Sequence, residues 1–142
     1  MLEQPELNKE TPTTSSSNSE KFPGVRAAIV KQMLAASDEM NVEQSLKFCT
    51  DDVAYQFGNL PVVVGKQGIK ESSRSFLQNF KSLKHDVRDI WEIGEAVVVE
   101  MKINYIRHDD KRFNLPCCNI FLMKGDLVRE MRIYMDVSPV FT

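Results

Sequence analysis

Ala96-Val97-Val98-Val99-Glu100-Met101-Lys102-Ile103-Asn104-Tyr105-Ile106-Arg107 is followed by His108-Asp109-Asp110-Lys111 and then by Arg112-Phe113-Asn114-Leu115-Pro116-Cys117-Cys118-Asn119-Ile120-Phe121-Leu122-Met123. On each side of the polar tetrapeptide, apolar side chains recur at every second position. Successive side chains of a strand point to opposite faces, so this alternation predicts two strands with one buried face each, joined as a hairpin. The pattern continues outward over 85–93 and 127–136, with Gly94-Glu95 and Lys124-Gly125-Asp126 as turn-forming connectors. The last sixty residues therefore read as a four-stranded antiparallel meander.

Upstream the period changes. Val25, Ala28, Ile29, Met33, Leu34 and Ala36 keep helical spacing over 25–39. Asn41 with Gln44 three residues on is a capping box for a short second helix containing Leu46 and Phe48. Asp51-Asp52 ends it, and Val53-Ala54-Tyr55-Gln56-Phe57 reads as a strand, closed by a turn at Gly58, Asn59 and Pro61. A third helix over 66–80 carries Ile69, Phe76, Leu77 and Phe80 on one side. Helices gathered before a meander predict an α+β fold, a curved, mostly antiparallel sheet packed against three helices. Residues 1–22, with the run Thr11-Pro12-Thr13-Thr14-Ser15-Ser16-Ser17-Asn18-Ser19, have too little apolar surface to offset ordering entropy, and are expected to be a disordered tail. The folded domain is then 23–142.

Composition narrows the function classes. The 142 residues are 42% hydrophobic and 27% charged, with net charge -2. The basic residues are dispersed, so no nucleic-acid partner is expected. No stretch approaches the roughly 20 apolar residues of a membrane helix, and no leader pattern opens the chain, which predicts a cytoplasmic protein without membrane contact. Cys49, Cys117 and Cys118 read as reduced thiols, and with only two histidines no metal site is expected.

The order of elements resembles the nuclear transport factor 2-like (ketosteroid isomerase-like) superfamily, and within it most closely the SnoaL-like proteins. The resemblance rests on Phe48-Cys49-Thr50-Asp51-Asp52-Val53-Ala54-Tyr55, on Gly65-Lys66, and on Gly125-Asp126-Leu127-Val128-Arg129-Glu130-Met131-Arg132-Ile133-Tyr134-Met135-Asp136. It implies a cone-shaped sheet around a blind pocket, no cofactor, and a hydrophobic small molecule as ligand. The catalytic sets of related enzymes do not carry over. Against limonene-epoxide hydrolases the tyrosine falls on Tyr55, but the asparagine falls on Phe57 and the charged residues on Met101, Ile103 and Ile133. The ketosteroid isomerase base and oxyanion donors fall on Phe57, Met33 and Asn119.

With the concave face set by that resemblance, Val99, Met101, Ile103 and Tyr105 face inward, as do Leu115, Cys117, Asn119 and Phe121, then Met131, Ile133 and Met135. Met33, Leu34, Phe57, Phe76 and Phe80 are expected to complete the lining. A register slip of one would turn Arg132 and Asp136 inward instead. Tyr55, His85 and Asn119 are the catalytic candidates: a hydroxyl and an amide to hold a carbonyl or water, and the one side chain that titrates near neutrality. His85 is expected to share its face with Val87 and Asp89. The function implied is an isomerase, cyclase or hydratase acting by general acid/base chemistry; the alternatives are a binding or sensing protein and a dimeric interaction module. Cys118, Ile120 and Leu122 on the convex face point to a homodimer.

Overall fold

The quoted stretch folds into two long neighbouring strands at the heart of one sheet. The computed structural model describes residues 24–142; the expected tail, 1–22, lies outside them. Three helices are α1 (Val25–Asp38), α2 (Val42–Leu46) and α3 (Lys66–Leu77). Six strands are β1 (Cys49–Phe57), β2 (Val63–Val64), β3 (Phe80–Ile93), β4 (Ala96–Arg107), β5 (Arg112–Lys124) and β6 (Leu127–Tyr134), and a 3-10 turn spans Ser138–Phe141. The sheet order is β2-β1-β6-β5-β4-β3. Every pair is antiparallel except β1 and β6, which run parallel.

Period two decides what the sheet buries. Val97, Val99, Met101, Ile103 and Tyr105 of β4 are buried, and so are Cys117, Asn119, Phe121 and Met123 of β5. Register joins them into rows across one face, such as Val97–Phe121–Met131–Tyr55 and Val99–Asn119–Ile133–Phe57. The helices cover that face. Arg132 pairs with Ile120 on the other face, with its guanidinium on Glu130 at 2.7 Å, and Asp136 caps the Ser138 N–H, so neither turns into the interior. Pro116 is tolerated in a long strand because β5 pairs with β6 only from Cys118 onward, so its missing N–H falls on an unpaired edge.

Several boundaries differ from the expected ones. Phe80 opens β3 instead of closing α3, so that strand is 14 residues long and His85 lies inside it. Asp51 and Asp52 belong to β1, and Phe48 lies beyond α2, whose Asn41 cap accepts the Gln44 N–H at 3.0 Å. Asp89 does not share the face of His85 and Val87. A bulge between Val87 and Asp89 shifts the register, so Asp89 pairs with Glu100 and faces outward. The buried face of α1 is Ala27, Val30, Met33 and Leu34, with Val25 exposed. A helix apolar nearly all round leaves its orientation to tertiary contacts, here a Glu92 carboxylate that accepts the Ala27 N–H at 2.9 Å. Gly24, the N-cap, lies against that carboxylate, so a side chain there would have to displace Glu92 from its hydrogen bond to Ala27.

Candidate functional site

Between the sheet and the helices lies a cavity of about 270 Å³. Engineered cavities of about 150 Å³ hold benzene, so this one has room for a bicyclic molecule. From α3 the residues Ile69, Ser72, Ser73, Phe76 and Leu77 face it, a spacing of three and four that is one helical stripe. Phe76 is the aromatic hub, with its ring centroid 5.5 Å from Phe57, 5.1 Å from Phe80 and 6.0 Å from Tyr105. Among the residues lining the cavity none is Lys, Arg, Asp or Glu, and His85 is the one imidazole.

Met33, Leu34, Phe57, Phe76, Ile103, Met131 and Ile133 line the cavity together with Tyr55, His85 and Asn119. Phe80, Met101, Cys117 and Met135 do not. Phe80, Met101 and Cys117 are buried in the surrounding core, and Met135 lies past the end of β6, where its sulfur accepts the Tyr105 hydroxyl at 3.7 Å. Alternation places a side chain on the inner face; it does not separate the residues that meet helices from those that meet empty space.

The arrangement around His85 was not legible in the sequence. Asp38, the last residue of α1, sends Oδ1 to His85 Nδ1 at 2.6 Å and accepts the His85 backbone N–H on the same oxygen at 2.8 Å. Both side chains are largely withdrawn from solvent, His85 12% and Asp38 27% exposed. A carboxylate only accepts, so the neutral ring carries its proton on Nδ1 and keeps a lone pair on Nε2, at its opposite edge. That nitrogen has no protein partner among the described residues. The one sequence signal was electrostatic: Asp38 and Glu39 end a helix, where the macrodipole disfavours negative charge, so an acid kept there calls for a partner.

The second polar group, Asn119, lies on the same sheet face, two strands over from His85. Cys117 Sγ donates to Asn119 Oδ1 at 3.2 Å, which occupies the amide oxygen and leaves the amide N–H groups as donors. Burial, then the neighbouring Cys118, pushes the Cys117 thiol up to about 12. Burial chiefly, with Cys117 second, likewise raises Tyr55 far above the ordinary phenol range, so its hydroxyl stays a donor at any physiological pH. The cavity lining therefore holds an oriented imidazole and two neutral donor side chains among apolar residues. His108, by contrast, is exposed and bonds the Gln78 carbonyl at 2.9 Å. Among the described residues no three His, Cys, Asp or Glu side chains come together as a metal site, and no helix is long and apolar enough to cross a membrane.

The SnoaL-like domain family matches residues 30–131. The chain belongs to the SnoaL-like domain family. Solved structures share this SnoaL-like fold at low identity. TerC, crystallised with polyporic acid, superposes with a TM-score of 0.73 at 17% identity, covering 83% of this chain and 96% of that one. An NTF2-like protein of unknown function from Burkholderia pseudomallei K96243 gives 0.75 at 11% identity, covering 83% and 95%. An LEH-like epoxide hydrolase from M. tuberculosis gives 0.70 at 20% identity, covering 82% and 86%. At such identities these likenesses speak for the fold alone, since one scaffold hosts many chemistries. No curated protein matches the sequence.

Proposed function

We propose that the cavity of this SnoaL-like domain is the active site of a cofactor-independent enzyme. It isomerises, cyclises or hydrates a small, neutral, largely hydrophobic carbonyl or polyketide-like compound. The observation that carries this reading is the His85–Asp38 pair, an oriented base on the wall of an apolar chamber. His85 Nε2 takes a proton from carbon next to the carbonyl, Tyr55 and Asn119 hold the oxygen as it gains negative charge, and the imidazolium returns the proton to the product. Asp38 stabilises the imidazolium and fixes the tautomer. A lining without Lys or Arg favours an uncharged ligand. Three free cysteines suit the cytoplasm.

The test is proton exchange. 2-Tetralone, a neutral bicyclic ketone, is incubated with the protein in D2O and followed by NMR. Deuterium entering its C1 position faster than in buffer is the expected result. Saturable binding of 2-tetralone with no exchange above buffer would refute catalysis of this kind and leave a binding or sensing protein.

We further propose that the outer sheet face binds a second copy of the chain. Trp91, Val98 and Ile120 form one cross-strand row that continues through Arg132 to Gln56, and Leu122 lies beside it opposite Glu130. Trp91 is 45% exposed, and the half-buried Glu130–Arg132 pair borders this apolar strip, which a two-fold axis would cover with its own image. Light scattering is expected to give twice the 16.3 kDa chain mass, and Ile120→Glu to return it to one chain mass. A wild-type mass of one chain at working concentration would end the dimer proposal.

A further inference from the structure

Two non-glycine residues among those described have a positive φ, Met40 at 59° and Asp110 at 68°. Asp110 sits in the β4–β5 hairpin turn, where an aspartate adopts this conformation readily. Met40 follows the C-cap of α1, and its N–H donates to the Ser37 carbonyl at 2.9 Å. Helices commonly end with a left-handed residue at this place, and it is usually glycine because a Cβ crowds the backbone there. A long side chain held in that conformation calls for a reason of its own.

The reason lies in what Met40 separates. On one side it lines the cavity; on the other it lines a polar surface cleft of about 580 Å³ with Glu39, Glu43, Arg74 and Gln78. Met40, Asn41, Val42 and Leu77 line both hollows, which adjoin along these four residues. The Asn41 side chain is held by its hydrogen bond from the Gln44 N–H, and the backbones of Val42 and Leu77 belong to α2 and α3. Met40 belongs to no helix and carries three rotatable bonds.

We propose that the Met40 side chain is the gate between the cleft and the cavity, admitting the ligand beside Asp38 and His85. This rests on the reading that the cavity takes a small apolar molecule. Swinging the thioether away opens the junction without moving a helix, and the left-handed backbone aims the side chain into it. Truncating it shortens the path into the cavity and also removes the thioether's contact with the bound molecule.

2-Naphthol, a planar analogue of the enol of 2-tetralone, is the probe, followed by stopped-flow through its own emission. Met40→Ala is expected to speed association by about tenfold, with dissociation rising at least as much because the thioether's contact with the ligand is lost as well. Met40→Gly is expected to match those rates and to melt at a higher temperature than Met40→Ala, because only glycine relieves the backbone. Binding with a wild-type association rate in Met40→Ala would overturn the gate alone, whether or not dissociation is faster. A glycine variant melting below the alanine variant would overturn the strain argument. If 2-naphthol binds none of the three proteins, the ligand reading of the cavity falls and the gate with it.

Discussion

Replacing His85 by alanine is expected to slow deuterium exchange into 2-tetralone by about 10²- to 10⁴-fold, the usual worth of a positioned general base. The loss belongs to the chemical step, so 2-naphthol should still bind. Asp38→Asn keeps the shape of the carboxylate while weakening its hold on Nδ1 and on the imidazolium. It is expected to lose about 10²-fold or more, with binding again retained, since a base in the wrong tautomer is nearly as poor as none. The 15N NMR spectrum of the ring supplies a readout that simple misfolding would not mimic: the Nδ1–H tautomer dominates in the wild type, and its share falls in Asp38→Asn. Exchange at the wild-type rate in His85→Ala would remove His85 from the mechanism. Exchange lost in Asp38→Asn with the tautomer unchanged would leave charge, and not orientation, as the contribution of Asp38.

The largest expected effect on stability is at Phe121. Its ring is 2% exposed, lies in the row Val97–Phe121–Met131–Tyr55, and borders the cavity. Truncating a buried phenylalanine costs about 3–5 kcal/mol, and the cost rises with the void that the surroundings fail to fill. Here a hollow of about 270 Å³ already lies alongside, and the strands behind are held by ladder hydrogen bonds, so little collapse is available. Phe121→Ala should fall in the upper part of that range. Phe57→Ala, half-buried on the same cavity, should lose about half as much. Urea unfolding measures both, through midpoints that move while the m-value stays constant. A loss under about 1 kcal/mol at Phe121 would show the chamber wall to be far more compliant than close-packed interiors are.

Proximity in sequence explains which parts of the site could be read in advance. Tyr55, Asn119, Ile103, Met131 and Ile133 were legible because alternation groups side chains by face and the family resemblance said which face is concave. Asp89 was misplaced because a bulge leaves no mark in alternation. Phe80 was given to α3 because an aromatic at a helix end and one at a strand start look alike when the boundary has no Gly or Pro. Ser72 and Ser73 escaped notice because small polar residues on an apolar stripe look like noise until there is a cavity for their hydroxyls to face. Asp38 was missed for a stronger reason: its partner is 47 residues away, and a hydrogen bond between a helix end and the middle of a strand obeys no local period.

By itself the sequence determined the α+β class, the meander and which strand residues share a face, because periods of two and 3.6 are properties of the backbone that side-chain polarity records directly. Tertiary structure alone decided which inward residues meet empty space, which face α1 turns to the sheet, and that a helix-ending aspartate orients a mid-strand histidine. Those are facts of distance between segments far apart in the chain, and polarity patterns carry no distances.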